Sequence, residues 1–239
     1  MNFYEGVIIN IDKPYGMTSF KALAHVRYLL CRRLGVRRLK VGHAGTLDPL
    51  ATGVLTLCTG RATKLIDHWQ QQTKEYVATL QLGATTRSFD REHPVDATYP
   101  TEHINEDLIR QVLTQFVGEI QQVPPEYSAC KVDGKRAYDL MRGGKEVSLK
   151  AKTLRIDEIE LLRFDEQQMT LTIRVVCSKG TYIRALARDI GQALHSGAYL
   201  TDLRRTRVGE VHADDCIPLD HFTEWLDKQN IEYNNTSNS

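Results

Sequence analysis

Hydrophobic residues that recur three or four positions apart predict five helices in the chain. The expected helices are 18–34, 62–70, 104–116, 181–195 and 220–228. In the first of them, Thr18 or Ser19 can supply the N-terminal cap, and Gly35 is a typical stop. The residues expected to face inward in this helix are Phe20, Leu23, Val26, Leu30 and Leu34.

Alternating apolar residues and short apolar runs predict strands between these helices. The clearest alternation places Tyr76, Ala78, Leu80 and Leu82 on one face of a strand. The expected strands are 6–12, 53–59, 75–82, 154–164, 169–177 and part of 199–211. The intervening segments 36–49 and 83–101 are predicted loops, and the second is long enough to be mobile.

The order of these elements indicates the fold class. Helices and strands are interleaved without the regular βαβ rhythm of a doubly wound sheet. We therefore expect an α+β fold with a mixed, mostly antiparallel sheet flanked by helices. The segment 124–144 has no clear periodicity apart from a short helix expected at 137–141.

Composition excludes several classes of protein. Hydrophobic residues make up 41% of the 239 residues and charged residues 26%, as in an ordinary globular protein. No apolar run is long enough to cross a bilayer, and no signal peptide is visible, so we expect a cytoplasmic protein. The five cysteines contain no CxxC pair, which favours free buried thiols over a zinc site.

The charge is unevenly distributed although the net charge is only +1. Eight Lys or Arg residues and no acidic residue lie between Lys13 and Leu47. A basic patch on a nearly neutral chain suggests a polyanionic partner, although a solvated helix face is an equal alternative. A second basic cluster is Arg204, Arg205 and Arg207.

The segment Gly42–Gly53, GHAGTLDPLATG, combines three glycines with His43, Asp48 and Pro49. Glycines allow a backbone to approach a ligand closely, and a carboxylate beside many cations stays ionised. Such a carboxylate can act as nucleophile, base or metal ligand. From these residues alone, Asp-Pro can equally be a simple turn and His43 a structural residue.

A second candidate segment is 178–184, SKGTYIR, which joins a predicted strand to a predicted helix. Lys179 and Arg184 lie near a helix N-terminus, where a cation is unfavourable unless it faces an anion. Arg184 is a candidate partner for Asp48. Tyr182 and Tyr76 can pack in the core or against a displaced base.

These segments together resemble a known family. GHAGTLDPLATGVLTL strongly resembles the signature of the TruB-type tRNA pseudouridine-55 synthases. GVIINIDKPYGMTS, KEYVATLQLG, PPEYSACKVDGKRAYDLMRGG, SKGTYIRALARDIG and YLTDLRRTRVGE occur in the same order as in that family. The resemblance extends from about Gly6 to about Glu210.

The resemblance implies an isomerase with a pseudouridine synthase fold that converts uridine-55 of the tRNA T-arm to pseudouridine, without cofactor or metal. It assigns catalytic roles to Asp48, Tyr76 and Arg184. The residues implied to bind the substrate base are His43, Tyr76, Tyr182 and Leu203. Together with the basic run, it suggests contacts to the RNA backbone from Arg37, Arg38, Lys40 and Lys179.

The resemblance also predicts the domain organisation. We expect one catalytic domain over 1–239, an RNA-gripping insertion at about 124–150 and a short tail from about 211, without the C-terminal PUA domain of many relatives. Asp90 is followed by Arg91-Glu92-His93 where relatives usually carry a glycine, which leaves this loop's conformation open. A monomer is the simplest expectation. An RNA chaperone and a synthase for another RNA are the alternatives.

Overall fold

The computed structural model describes residues 1–127 and 149–232, and the backbone of 131–132 and 135–136. The helix expected at 137–141 and the thiol of Cys130 lie outside the described residues. The chain forms two compact units. The first contains Met1–Lys74 and the chain from Arg204 onward, and the second contains Glu75–Leu203.

The elements follow one another in an irregular order of strands and helices. The strands are β1 (Ile8–Lys13), β2 (Val41–His43), β3 (Ala51–Thr59), β4 (Lys74–Leu82), β5 (Ala84–Thr86), β6 (Val95–Thr98), β7 (Gly118–Gln122), β8 (Lys131–Val132), β9 (Lys135–Arg136), β10 (Lys152–Asp165), β11 (Thr170–Cys177), β12 (Ala198–Val208), β13 (Val211–His212) and β14 (Ile217–Pro218). The α-helices are α1 (Ser19–Leu34), α2 (Ile66–Gln71), α3 (Glu106–Thr114), α4 (Ile183–Ala193) and α5 (Phe222–Asp227), with short 3-10 helices at Gly60–Leu65, Ala213–Asp215 and Leu219–His221.

The first unit is a sheet in the order β14-β1-β3-β12, with β2 paired to β3 and β13 to β12. The strand β1 is antiparallel to β3, with Ile11 opposite Leu55, and parallel to β14. The apolar face of α1 and the helix α5 pack on this sheet around a core that includes Ile9, Val26 and Phe222. Burial of these side chains is the main force that holds α1 in place.

The ends of α1 follow the sequence prediction, but one inward residue does not. The side chain of Thr18 accepts a hydrogen bond from the amide of Lys21 (3.1 Å), and Gly35 closes the helix in the left-handed conformation at φ 66°. Phe20 is 65% exposed, so its predicted inward position was wrong. The adjacent Ser19 occupies that position instead, because its hydroxyl binds a buried backbone segment.

The second unit contains the sheet order β12-β4-β11-β10-β7. The strand β10 is antiparallel to both β11 and β7. Burial alternates along β4 as the sequence predicts, with Tyr76, Ala78, Leu80 and Leu82 inward. The predicted α+β class with a mixed, mostly antiparallel sheet is confirmed.

The predicted loop 83–101 is more ordered than expected. It contains the antiparallel pair β5 and β6, and Thr86, Ser88 and Asp90 are buried in it. Their polar groups are satisfied locally, since the Thr86 hydroxyl donates to the carbonyl of Asp90 (2.6 Å) and the Ser88 hydroxyl to its carboxylate (2.5 Å). The predicted loop 36–49 likewise includes the short strand β2.

Candidate active site

The turn between β2 and β3, residues 44–50, carries the candidate catalytic carboxylate, and we call it the Asp48 loop. Strand pairing holds its two ends, since His43 pairs with Leu57 and the amide of Ala44 donates to the carbonyl of Thr56 (2.9 Å). Within the loop the amide of Ala51 donates to the carbonyl of Asp48 (3.0 Å). The carboxylate is therefore attached to a backbone fixed by the sheet.

Ser19 fastens the middle of the Asp48 loop to the start of α1. Its hydroxyl donates to the carbonyl of Leu47 (2.9 Å) and accepts from the amide of Leu47 (2.8 Å). Both residues are buried. The amide of Gly16 adds a third contact by donating to the carbonyl of Pro49 (2.8 Å). The residues on both sides of Asp48 are thus held by the segment that precedes α1 and by its first residue.

Arg205 supports the other end of the same loop from β12. Its guanidinium donates from Nε to the carbonyl of Val54 (2.8 Å) and from Nη2 to the carbonyl of Gly45 (3.1 Å). Gly53, at φ 103°, allows β3 to approach the backbone of Arg205 in β12. A Cβ at Gly53 would lie 2.1 Å from the carbonyl oxygen of Arg205. The sequence showed Arg205 only as part of a basic cluster.

Two further titratable groups lie near this loop in the first unit. Lys13 is buried and donates to the carbonyls of Pro14 (2.8 Å) and Met17 (2.6 Å). Burial lowers the pKa of Lys13 to about 8, against the opposing effect of Asp48. Burial and the charge of Arg205 also lower the pKa of His43, which favours a neutral imidazole at pH 7.

Arg184 is the centre of the candidate residues in the second unit. It is 5% exposed and lies in the first turn of α4. Its Nη1 donates to the carbonyl of Ser88 (3.1 Å) and its Nη2 to the carbonyl of Tyr127 (3.0 Å). Asp90 Oδ2 lies 3.7 Å from Nε. These contacts set the direction of the guanidinium.

Asp90 was not recognised as a site residue in the sequence. Its other oxygen, Oδ1, accepts from the hydroxyl of Ser88 (2.5 Å) and the amide of Glu92 (2.9 Å), so the carboxylate is firmly held beside Arg184. Two signals mark it in the sequence, a place in a long polar segment predicted to be a loop and the unusual Arg91-Glu92-His93 that follows it, and neither indicates a charge partner. A buried ion pair between residues 94 positions apart leaves no periodic pattern in the sequence.

The predicted base-binding residues of the second unit lie on three elements. Tyr76 is buried on β4, Leu203 is partly buried on β12, and Tyr182 precedes α4. The backbone of Tyr182 is held by the buried amide of Gln122, which donates to its carbonyl (3.2 Å) and accepts from its amide (2.9 Å). Gln122 therefore positions the start of α4, a role that the sequence did not indicate.

The structure groups the predicted site residues by unit. His43 and Asp48 belong to the first unit, and Tyr76, Tyr182, Arg184 and Leu203 belong to the second. Within each unit, backbone contacts hold the candidate side chains or the segments that bear them. The pairing of Asp48 with Arg184 stays a prediction.

The basic segment has the exposure that an RNA interface requires. Arg37, Arg38 and Lys40 are exposed in the segment between α1 and β2, and Lys179 is exposed before α4. One stripe of α1 is also exposed and combines cations with an aromatic ring, through Lys21, His25, Tyr28 and Arg32. This helix carries no acidic residue, so every charged side chain that it presents is a cation.

Other expectations concern cysteines, metals and membranes. Within the described parts of the chain, Cys31, Cys58 and Cys216 are free thiols, and Cys58, Cys177 and Cys216 are buried. Residues 1–127 and 149–232 contain no group of three or more His, Cys, Asp or Glu side chains arranged to hold a metal ion. None of the described helices has the length and apolar character to span a membrane.

Two sequence models of one enzyme family together match most of the chain. A sequence model described as the N-terminal domain of TruB family pseudouridylate synthases matches residues 32–183, and one described as the C-terminal domain of tRNA pseudouridylate synthase B matches residues 184–235. Pseudouridylate synthases are isomerases, and this chain is an enzyme of that class. The chain belongs to the TruB family.

Similar proteins named tRNA pseudouridine synthase B match all or nearly all of the chain. The protein of Bacteroides thetaiotaomicron is 64% identical over all of both chains, and that of Phocaeicola vulgatus is 63% identical over 97% of this chain and 98% of its own. A more distant one, from Clostridium kluyveri, is 44% identical over 94% of this chain and 73% of its own.

Solved structures agree with the fold. The crystal structure of a Cbf5-Nop10-Gar1 complex matches with a TM-score of 0.68 and 31% identity, over 95% of this chain and 58% of that one. An H/ACA RNP bound to a substrate RNA containing 2′-deoxyuridine matches with a TM-score of 0.66 and 29% identity, over 94% and 56%. This chain therefore spans little more than half of those chains.

Proposed function

We propose that this enzyme isomerises uridine-55 in the T-loop of tRNA to pseudouridine. Membership of the TruB family supports the reaction class, and the relatives named tRNA pseudouridine synthase B support tRNA as the substrate. The observation that carries the proposal is the Asp48 loop, whose backbone is held by Arg205 at Gly45 and by Ser19 at Leu47, just before the aspartate. A fixed carboxylate is what a reaction at a ribose carbon requires.

The target nucleotide must leave the stack of bases before any group can reach its glycosidic bond. Asp48 then acts on the sugar, either as a nucleophile at C1′ or by stabilising a glycal-forming step. The bond between N1 and C1′ breaks, the uracil turns, and C5 bonds to C1′. The proton on C5 is lost to a base, and N1 ends with a proton, so the product is an isomer of the substrate.

The second unit contributes the proposed partners of this reaction. Arg184 is proposed to orient the Asp48 carboxylate. The guanidinium of Arg184 suits this role because it is buried and held by Ser88, Tyr127 and Asp90. Tyr76 stacks on the target base. It is also a candidate for the base that removes the proton from C5. These roles are consistent with the buried position of Tyr76 on β4.

The remaining pocket residues are proposed to receive the base. Tyr182 and Leu203 line the space for the flipped uracil, and His43 contacts the RNA and helps to fill the place that the base leaves. A neutral His43 suits this role, because its lowered pKa leaves the ring able to donate and accept hydrogen bonds.

The proposed RNA interface follows the exposed cations. Arg37, Arg38, Lys40 and Lys179 contact phosphates, and the exposed stripe of α1 extends this surface. The insertion at about 124–150 grips the T-arm. We further propose that 1–239 acts as one catalytic domain with a tail from about 211, as a monomer in the cytoplasm.

The test of substrate and position uses tRNA transcripts labelled with tritium at C5 of uridine. We expect the enzyme to release one label per tRNA, and a transcript with cytidine at position 55 to release none. Release of tritium from the cytidine-55 transcript at the same rate would show that the enzyme modifies a different uridine. An absence of release from both would refute the proposed function.

A further inference from the structure

Arg205 is a fully buried cation on β12. It is 2% exposed, and in the described parts of the chain it forms no ion pair within 4.0 Å. Its neighbour Arg204, on the same strand, instead binds Asp12 through two hydrogen bonds of 3.0 and 2.8 Å. Burying a guanidinium without a carboxylate beside it is costly unless hydrogen bonds compensate, so the acceptors of Arg205 indicate its role.

The contacts of Arg205 are directed at the Asp48 loop and the strand that follows. The hydrogen bond from Nη2 ends on the carbonyl of Gly45, and the hydrogen bond from Nε ends on the carbonyl of Val54 in β3. A planar guanidinium joins two such carbonyls through donors held in a rigid fork, whereas the donors of a lysine ammonium rotate on a flexible stem. Arg205 therefore ties the start of the loop to the strand that leaves it.

Two glycines of the local backbone lie close to Arg205. Gly45 has a φ of 97°, and a Cβ there would lie 3.6 Å from Nη1 of Arg205. Gly53 allows close approach to the Arg205 backbone, as described above. Ser19 separately fixes Leu47. The loop is thus held at two separate points, before and beside Asp48.

We propose that Arg205 is a positioning residue for the reaction, which acts by fixing the Asp48 loop through the Gly45 carbonyl. The proposal rests on the function proposed above. A displacement of about 1 Å of a reacting group can cost about 100-fold in rate, so the loss of this contact lowers kcat without a matching change in RNA affinity.

The test compares Arg205→Lys and Gly45→Ala with Arg204→Met as the matched control. Arg205→Lys keeps the charge but removes the two-carbonyl geometry. Gly45→Ala keeps Arg205 and strains only the contacted residue, which keeps the test decisive if the lysine variant does not fold. We expect both to lower kcat about 100-fold with KM for tRNA within about threefold. Arg204→Met lowers Tm and leaves kcat unchanged.

Amide hydrogen exchange of residues 44–50 gives a second readout that needs no activity. We expect faster exchange in Arg205→Lys and Gly45→Ala than in the wild type, and no change in Arg204→Met. If a folded Arg205→Lys or Gly45→Ala variant keeps the wild-type kcat, the inference is overturned. This holds even when tritium release by the wild type supports the proposed function. An inactive wild type with faster exchange in the loop variants would instead refute the function alone.

Discussion

Replacement of Ser19 by alanine tests how the Asp48 loop is held. The substitution removes only an oxygen, from a side chain that is 2% exposed at the start of α1. It leaves the amide and the carbonyl of Leu47 without the hydroxyl that they bind at 2.8 and 2.9 Å. No water reaches these buried groups easily, so neither bond is simply exchanged for one to solvent.

The magnitude follows from these two groups. A buried donor or acceptor that loses its partner costs about 1–3 kcal/mol, so Ser19→Ala should lower the free energy of unfolding by about 2–4 kcal/mol. The adjacent Thr18 is the matched control, because its hydroxyl caps α1 by accepting from the amide of Lys21. Loss of that cap costs about 1 kcal/mol and leaves the loop contacts intact.

The assay is urea unfolding of both variants, followed by tritium release from labelled tRNA. We expect Ser19→Ala to lose more stability than Thr18→Ala and to show a lower kcat, while Thr18→Ala keeps the wild-type kcat. Equal stability losses, or an unchanged kcat in Ser19→Ala, would refute the idea that this hydroxyl holds the loop.

Further predictions concern RNA contact, the second unit and pH. Arg37→Ala combined with Arg38→Ala should weaken tRNA binding and lower the slope of log Kd against log salt by about 1–2; an unchanged slope removes these residues from the interface. Asp90→Asn should lower kcat by at least about tenfold, because the neutral amide no longer pairs with Arg184, and single-turnover assays with saturating tRNA measure it; wild-type turnover would contradict this role. Because the pKa of Lys13 falls from 10.5 to about 8 on folding, protons are released as the chain folds between these values, and stability should rise with pH across this window. Urea unfolding at pH 7.5 and 9.5 should show a smaller rise in Lys13→Met than in the wild type, and an equal rise would exclude Lys13 as its source.

Local patterns could be predicted well from the sequence. The cap at Thr18, the stop at Gly35 and the alternation along β4 each depend on residues within a few positions of one another. Phe20 shows the limit of this reasoning. Helical spacing alone placed Phe20 inward. In the structure Ser19 is the buried residue instead, because its hydroxyl binds Leu47, and Phe20 is exposed.

The supporting residues of the site could not be predicted because their contacts are distant in sequence. Arg205 reaches Gly45 across 160 positions, and Arg184 reaches Ser88 across 96. Asp90 lay in a polar segment that was predicted to be a mobile loop, yet its hydrogen bonds to Ser88 and Glu92 replace solvent. Motifs identified the candidate residues, whereas only the fold shows what holds them.

The most direct test of the central claim is a single-turnover measurement with Asp48→Asn. This change keeps the size of the side chain and removes the negative charge on which the proposed step at C1′ depends. We predict that the variant binds tRNA with a Kd within about threefold of the wild type, since phosphate contacts dominate affinity, and releases no tritium from C5 of uridine-55. Full release by Asp48→Asn with intact binding would contradict the account.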